Sequence, residues 1–595
     1  MFFAKSLKDR ADRELEDWVA PDCHGLNFFD IDSSLKSLME IYLPQDLREH
    51  MTPVYQNLGE VVGNRLDDLA RTAERHPPVL HPRNARGKDE EWIEFHPAYQ
   101  EMEKIAYGDF GIHCMSHKSG VHGWPEKIPP MAKYIFTYLF VQSEFGLMCP
   151  ISVTDTSYGL LEKHGPKEAM DKFGWQMLSQ NMDEIHMGAQ FMTEKVGGSE
   201  VANLEVTARF EDGQWRLYGD KWFCSCAGAE VALVLARPEG APKGNSGLAI
   251  FAVPRHLEDG SRNKYRFVRL KDKMGTKSMA SGEAKFEGAV GYAFGDVGAK
   301  KNPGLRQMMD QVVMSRLSHG VRAAGMMRRC LNEALVAAQN REVFGEPILE
   351  KPLLRRQLLK MMVPTEQALS MFLNVAVQLH KSDQGDKDAE RLNRILTPLL
   401  KFRTCRDNVD VAGGALEIRG GNGFIEDWVN PRLVRDAYTG LLWEGTSNIN
   451  ALDITTRAVG KVGAHNDLAD DLKKRLTETE ALPGQFAGEM VALVDRARGF
   501  ADEVARTENE TLARQASNAL YHATTATLFA EEGTILGRQG KDARRLLLSR
   551  FVRDHHLKPS DPLVVGETEF EIEAGNRLLS DDLVTLEEAT DLLQI

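Results

Sequence analysis

The sequence predicts a mainly α-helical protein with one central β domain. Three observations predict it. Apolar residues recur at helical spacing from about residue 34 to 179, as in Leu35, Leu38, Met39 and Tyr42. Between about 187 and 294 the period shortens to two, with Val206, Ala208 and Phe210 alternating with polar neighbours. From Pro303 onward long helical patterns return. At 595 residues the chain exceeds the size at which one core stops growing, so several domains are expected.

Taken in order, Pro-rich stretches at 76–82 and 124–130 break the first helical block. In the β domain, Glu211-Asp212-Gly213 offers a turn into a second strand through Trp215, Leu217 and Tyr218. Apolar runs at 232–236 and 248–253 read as buried strands, and 281–290 as another, which makes a small, mostly antiparallel domain. Helical patterns then cover 312–342, 351–381 and 388–411, and the chain stays helical from 466, punctuated at 483–484 and 558–562.

Composition narrows the classes. A formal net charge of −14 repels nucleic acid and anionic membranes unless a local basic patch compensates. From about residue 465 acidic residues outnumber basic ones by about ten. The one basic cluster there, Arg544, Arg545, Arg550 and Arg553 with His555 and His556, reads as a solvated or inter-subunit face. The 7 cysteines are odd in number and scattered. Cys224 and Cys226 lack a second pair to complete a zinc site, so no metal is expected and the thiols read as reduced. The first residues lack the apolar core of a signal peptide, and no stretch is long and apolar enough to span a membrane. A cytoplasmic protein is expected.

Five motifs carry candidate chemistry. Met192-Thr193-Glu194-Lys195-Val196-Gly197-Gly198-Ser199-Glu200 opens the β domain; its glycines either let backbone N–H groups approach a ligand or make a plain turn. In Lys221-Trp222-Phe223-Cys224-Ser225, the ring of Phe223 and the hydroxyl of Ser225 share one strand face, which suits a planar heterocycle. The alternative there is a core aromatic beside a surface serine. Arg341-Glu342-Val343-Phe344-Gly345-Glu346-Pro347 carries helix-stop signals and an arginine able to pair with phosphate. Gly420-Gly421-Asn422-Gly423-Phe424 can cradle a pyrophosphate, but it follows a helical pattern and is not a dinucleotide-fold fingerprint. In Leu441-Leu442-Trp443-Glu444-Gly445-Thr446-Ser447-Asn448-Ile449, a carboxylate follows three bulky apolar residues. Burial raises a carboxylate's pKa and suits a general base; the alternative is a surface Glu capping the next helix.

Each motif alone is weak, but their order and separation resemble the acyl-CoA dehydrogenase family over roughly residues 95–460. Phe95-His96-Pro97-Ala98, Met148-Cys149-Pro150-Ile151, Arg269–Gly275 and Met326-Met327-Arg328-Arg329 resemble its AidB-like subgroup. The resemblance implies an N-terminal helical domain (1–180), a β barrel (181–296), a helical bundle (297–465) and a C-terminal helical extension (466–595). It implies FAD between barrel and bundle. Met192 and Thr193 then match the segment at the flavin pyrimidine edge, Phe223 the ring against the flavin, and Ser225 the hydroxyl at flavin N5. Arg341, Phe344, Gly420, Gly421 and Gly423 match elements holding the FAD of a neighbouring subunit, and Thr446 and Asn448 match positions near the FAD phosphates. Ser199, Arg316 and Gly445 match substrate contacts, and Glu444 matches the catalytic base. An oxidoreductase of fatty-acid β-oxidation follows, a homodimer or homotetramer that takes an acyl-CoA and passes electrons to an electron-transfer flavoprotein or another acceptor.

Two departures stand out. Glu417 replaces a common glutamine before the glycine turn, and Val313 replaces an acidic residue near the entrance arginine. The rival reading is an AidB-like protein with a DNA-associated or alkylation-response role. It is disfavoured by the acidic C-terminal part. Met326, Met327, Met361 and Met362 read as core, with an adaptable acyl pocket as the alternative.

Overall fold

The computed structural model describes residues 18–299, 301–559, 561, 563 and 568–594. The reading of the first 17 residues and of part of the 558–562 break lies outside them. The described chain is mostly helical with one central β domain, and it divides into two compact units.

One unit comprises Arg65–Pro129 and Ser143–Ser318 and holds the β domain. Strands β1 (Val79–Arg83) and β2 (Asp89–Glu94) form a hairpin where the sequence reads as a helix break. Pro82 misled that reading: it sits at the irregularity between His81 and Arg83, where the ladder needs no N–H. Strands β3 (Gly188–Phe191), β4 (Thr207–Glu211), β5 (Gln214–Ser225), β6 (Val231–Pro238), β7 (Ala249–Pro254), β8 (Tyr265–Leu270) and β9 (Ser281–Ala293) form one seven-stranded sheet. Its order is β3-β6-β4-β5-β9-β7, and β6 also pairs with β7, so the sheet closes into a barrel. Only β3–β6 and β4–β6 are parallel. Asp212 and Gly213 both have positive φ, 51° and 79°, as a two-residue hairpin between right-twisted strands requires. Phe191, Leu217, Val234, Phe251 and Phe286 fill the interior.

The other unit comprises the described residues up to Asn64, Pro130–Gln142 and the described residues from His319 on. Its long helices Pro352–Asp383 and Lys387–Arg419 pack together. Asp386 caps the second, accepting from the N–H groups of Asp388 and Ala389. Helices Ala513–Arg538 and Arg545–Val552 of the C-terminal part pack on each other and on Pro352–Asp383. Met326, Met327, Met361 and Met362 are buried.

The four arginines of the basic cluster are not a solvated face, whereas His555 and His556 are exposed. Arg544, Arg545, Arg550 and Arg553 are all buried and paired. Arg553 pairs with Glu489 and Asp554, and Arg550 with Asp554 and the Phe570 ring. Arg545 joins a buried network. Its Nη1 donates to Glu366 Oε2 at 2.8 Å, its Nε to Glu532 Oε2 at 2.7 Å, and its Nη2 to Ser370 Oγ. Glu366 also accepts from Arg328 Nη2 at 2.5 Å, and Tyr138 Oη donates to Asp32 at 2.6 Å. Tyr42 Oη donates to Glu532 at 2.6 Å. Charged groups are buried only when paired, so this network binds the C-terminal helices into the unit's core. Among the described residues, no helix is long and apolar enough to cross a membrane.

Candidate functional site

On the barrel unit, the Met192–Ser199 segment leaves β3 and lies beside β5. Trp222 N–H donates to the Thr193 carbonyl at 2.8 Å. Beneath the segment is a buried ion pair: Lys221 Nζ donates to Glu194 Oε1 at 2.7 Å and to the Met192 carbonyl at 3.1 Å. Glu194 also accepts from the N–H groups of Glu205 and Val206. Burial pulls the Lys221 ammonium below the ordinary lysine range, and Glu194 opposes that pull. Three donors on one carboxylate, with the Lys221 bond to the Met192 carbonyl, fix the loop that carries Met192 and Thr193. The sequence reading quoted both charged residues but gave neither a role.

On β5 the alternation is as expected. Cys224 is fully buried, while Phe223 is 51% exposed and Ser225 partly exposed. Lys271 holds its ammonium 3.5 Å from the Trp222 ring centroid and 4.6 Å from that of Phe223. Ser199 is exposed, and Arg316 is buried on the helix Gly304–Asn340. Val313 is 37% exposed on that helix.

On the helical unit, Glu444 and Gly445 both have positive φ, 56° and 91°. For a glutamate this conformation is strained and persists where neighbours hold it. They do so through the Gly445 carbonyl, which accepts from Lys401 Nζ at 2.6 Å and from Asn450 Nδ2 at 2.7 Å. Asn450 Nδ2 also donates to the Thr446 carbonyl at 2.9 Å. Lys401 and Asn450 are buried. Trp443 packs against the buried His319 ring, centroids 5.7 Å apart and nearly perpendicular. Burial lowers the His319 pKa well below the imidazole range, and the charges of Arg322 and Lys401 add to it. Thr446, not Glu444, is the residue before the helix Ser447–Leu452. Thr446 and Asn448 are exposed, and Asn448 Oδ1 accepts from Arg514 Nε at 2.7 Å.

The arginine motif and the glycine turn meet on this same unit. The helix Gly304–Asn340 ends one residue before Arg341, and Phe344-Gly345, with φ of 55° and 90°, form the tip of a two-residue hairpin. Arg341 Nη1 lies against Gly420, where an added Cβ would meet it at 2.7 Å. An added Cβ at Gly423 would meet the Leu416 carbonyl oxygen at 2.3 Å, so that turn admits only glycine there. Below it the buried Arg419 donates to Glu333 at 2.8 Å, which also accepts from Arg329. Phe344 and Phe424 are 98% and 81% exposed. Gly421 is exposed. Glu417 accepts from Gln357 Nε2 at 2.8 Å.

Taken by itself, each unit offers groups that suit part of a flavin dinucleotide. A ring and a hydroxyl share one face of β5, and a glycine turn lies under a guanidinium, the donor that matches a diphosphate. The chain belongs to the acyl-CoA dehydrogenase family of flavin-dependent oxidoreductases, whose cofactor is FAD. The adaptive response protein AidB N-terminal domain matches residues 19–184, the acyl-CoA dehydrogenase middle domain 189–289 and the acyl-CoA dehydrogenase C-terminal domain 302–459. The putative acyl-CoA dehydrogenase AidB of Escherichia coli (strain K12) is 32% identical over 455 residues, 74% of this chain and 79% of that protein. Acyl-CoA dehydrogenase family member 11 of Caenorhabditis elegans is 30% identical over 458 residues, 74% and 72% of the two chains. The crystal structure of Caenorhabditis elegans ACDH-11 in complex with C11-CoA superposes with a TM-score of 0.80 at 23% identity, covering 94% of this chain and 95% of that one. The apo-form of Bd2924 gives 0.76 at 26% identity, covering 86% and 99%.

Proposed function

We propose that this enzyme removes one hydrogen from each of the α and β carbons of an acyl-CoA thioester, leaving a trans-2-enoyl-CoA. Glu444 is the base. Its carboxylate takes the α proton, and its own backbone N–H donates to the thioester carbonyl oxygen, where charge develops as the proton leaves. When bound, FAD supplies the acceptor for the β hydrogen, which leaves as hydride. Phe223 backs the flavin ring, Ser225 donates toward N5, and Met192 and Thr193 border the pyrimidine edge. Arg341, Phe344, Gly420, Gly421 and Gly423 hold the dinucleotide of a second copy of the chain, with Thr446 and Asn448 on the phosphates. Ser199, Arg316 and Gly445 contact the acyl-CoA.

The four-domain division at 180, 296 and 465, a homodimer or homotetramer, a cytoplasmic setting, a place in β-oxidation and an electron-transfer flavoprotein as acceptor complete the proposal. A DNA-associated role is not favoured, because the arginines that would have carried it are buried and ion-paired.

The observation that carries the reading is the Glu444–Gly445 turn, a left-handed glutamate anchored by two buried side chains. Its test is Glu444→Gln in the flavin-loaded protein. The variant keeps its yellow spectrum but bleaches roughly 10²–10⁴-fold more slowly than the parent when acyl-CoAs are added anaerobically. Equal bleaching rates refute the assignment of the base.

A further inference from the structure

We infer that Lys401 is a positioning residue for the Glu444 base, acting through the Gly445 carbonyl; the inference rests on Glu444 being that base. Lys401 lies on the helix Lys387–Arg419, 44 residues from Gly445 in sequence, and its buried Nζ donates to the Gly445 oxygen at 2.6 Å. Burying an ammonium is costly, and a fold keeps one only where it holds something in place. What it holds is the carbonyl directly after the strained glutamate. Asn450 supplies a second, neutral tether at 2.7 Å to the same oxygen. The two tethers differ in one respect: only Lys401 brings a charge.

That difference separates two contributions. Both tethers fix the φ of Glu444 and Gly445, and so the direction of the carboxylate and of the Glu444 N–H. Lys401 also places a positive charge beneath the turn. Beside that turn Trp443 packs on His319 of the helix Gly304–Asn340; the charges of Arg322 and Lys401 act on the His319 ring, and Cys405 Sγ donates to the His319 carbonyl. His319 is held neutral by its burial, so the standing charges named here are cationic. A cation there favours the ionised carboxylate, the form a base needs.

The test compares Lys401→Met, Lys401→Arg and Asn450→Leu in the flavin-loaded protein, following anaerobic bleaching by the acyl-CoA that best reduces the parent, as a function of pH. Misplacing a reacting group by about 1 Å costs about 10²-fold. Both Lys401→Met and Asn450→Leu are expected to bleach 10- to 100-fold more slowly, on the same scale. Only Lys401→Met shifts the acid limb of the rate profile, toward higher pH, because the carboxylate loses its neighbouring cation. Lys401→Arg restores the limb and part of the rate.

A Lys401→Met protein with the parent's rate and pH profile overturns the inference. So does a loss of rate in Lys401→Met with no shift of the acid limb, which marks a purely structural lysine. If Lys401→Met does not fold, Asn450→Leu and Lys401→Arg decide: parent rates in the first, or a shifted limb in the second, overturn it. If the parent itself is not bleached by any acyl-CoA, or Glu444→Gln is as fast as the parent, the reading of Glu444 has failed, a different result from failure of Lys401.

Discussion

Removing the guanidinium of Arg545 by Arg545→Met leaves two carboxylates, Glu366 and Glu532, without a shared cation in a buried site. Arg545 makes one charge-assisted hydrogen bond to each, of 2.8 and 2.7 Å, and one to Ser370. Breaking a buried pair by deleting one partner costs about 3–5 kcal/mol. The two carboxylates respond differently. Glu366 keeps Arg328, and the two guanidiniums hold it at about 2 against the burial that pushes it up. Among the described residues Glu532 has Arg545 as its one cation, with hydroxyls of Tyr42 and Ser370, and burial pushes its pKa above the ordinary range. Protonation of Glu532 therefore relieves part of the loss. For Glu366 the folded pKa is depressed, so its stabilisation is present above the unfolded value of 4.5 and is lost as pH falls toward about 2. The destabilisation by Arg545→Met is thus greatest near neutral pH and shrinks below 4.5. Urea unfolding followed by far-ultraviolet circular dichroism, at pH 7 and pH 4, checks both parts. A variant as stable as the parent at pH 7, or a loss that grows on acidification, refutes the reasoning.

Three further outcomes follow from single contacts. Lys221→Met leaves Glu194 buried without its cation and frees the Met192–Thr193 loop; flavin retention on gel filtration falls, and the unfolding midpoint drops by an amount equivalent to about 3–5 kcal/mol. Gly423→Ala forces a methyl onto the Leu416 carbonyl, so the variant loses FAD on dialysis or does not accumulate folded, whereas Gly421→Ala, with open space at its Cβ, retains the fold. Asp386→Ala removes the cap of the helix Lys387–Arg419 and costs about 1 kcal/mol in the same urea experiment, with no change in the flavin spectrum.

What the sequence made legible is what depends on near neighbours. Alternation placed Phe223 and Ser225 on one face of β5 with Cys224 on the other, because side chains alternate along any strand. The glycines of the 420–424 turn and the Asp212-Gly213 hairpin were equally readable, because backbone conformation is set within a few residues. The charged anchors were not. Glu194 and Lys221 are 27 residues apart, Lys401 and the Gly445 carbonyl 44, and Arg545 and Glu366 179. Nothing local to Arg544-Arg545 separates a buried, fully paired arginine from a solvated one, since the distinction lies in carboxylates on other helices. For that reason the four arginines of the basic cluster read as surface and proved to be interior, while His555 and His556 are exposed as read. The same logic bears on the C-terminal helices. They carry excess acid, yet Arg545, set by burial beside Glu366 and Glu532, joins them to helices ahead of residue 465. A truncation before Arg545 would strand Glu366 with one guanidinium instead of two, so these helices are required for the stability of the unit that carries Glu444 rather than appended to it.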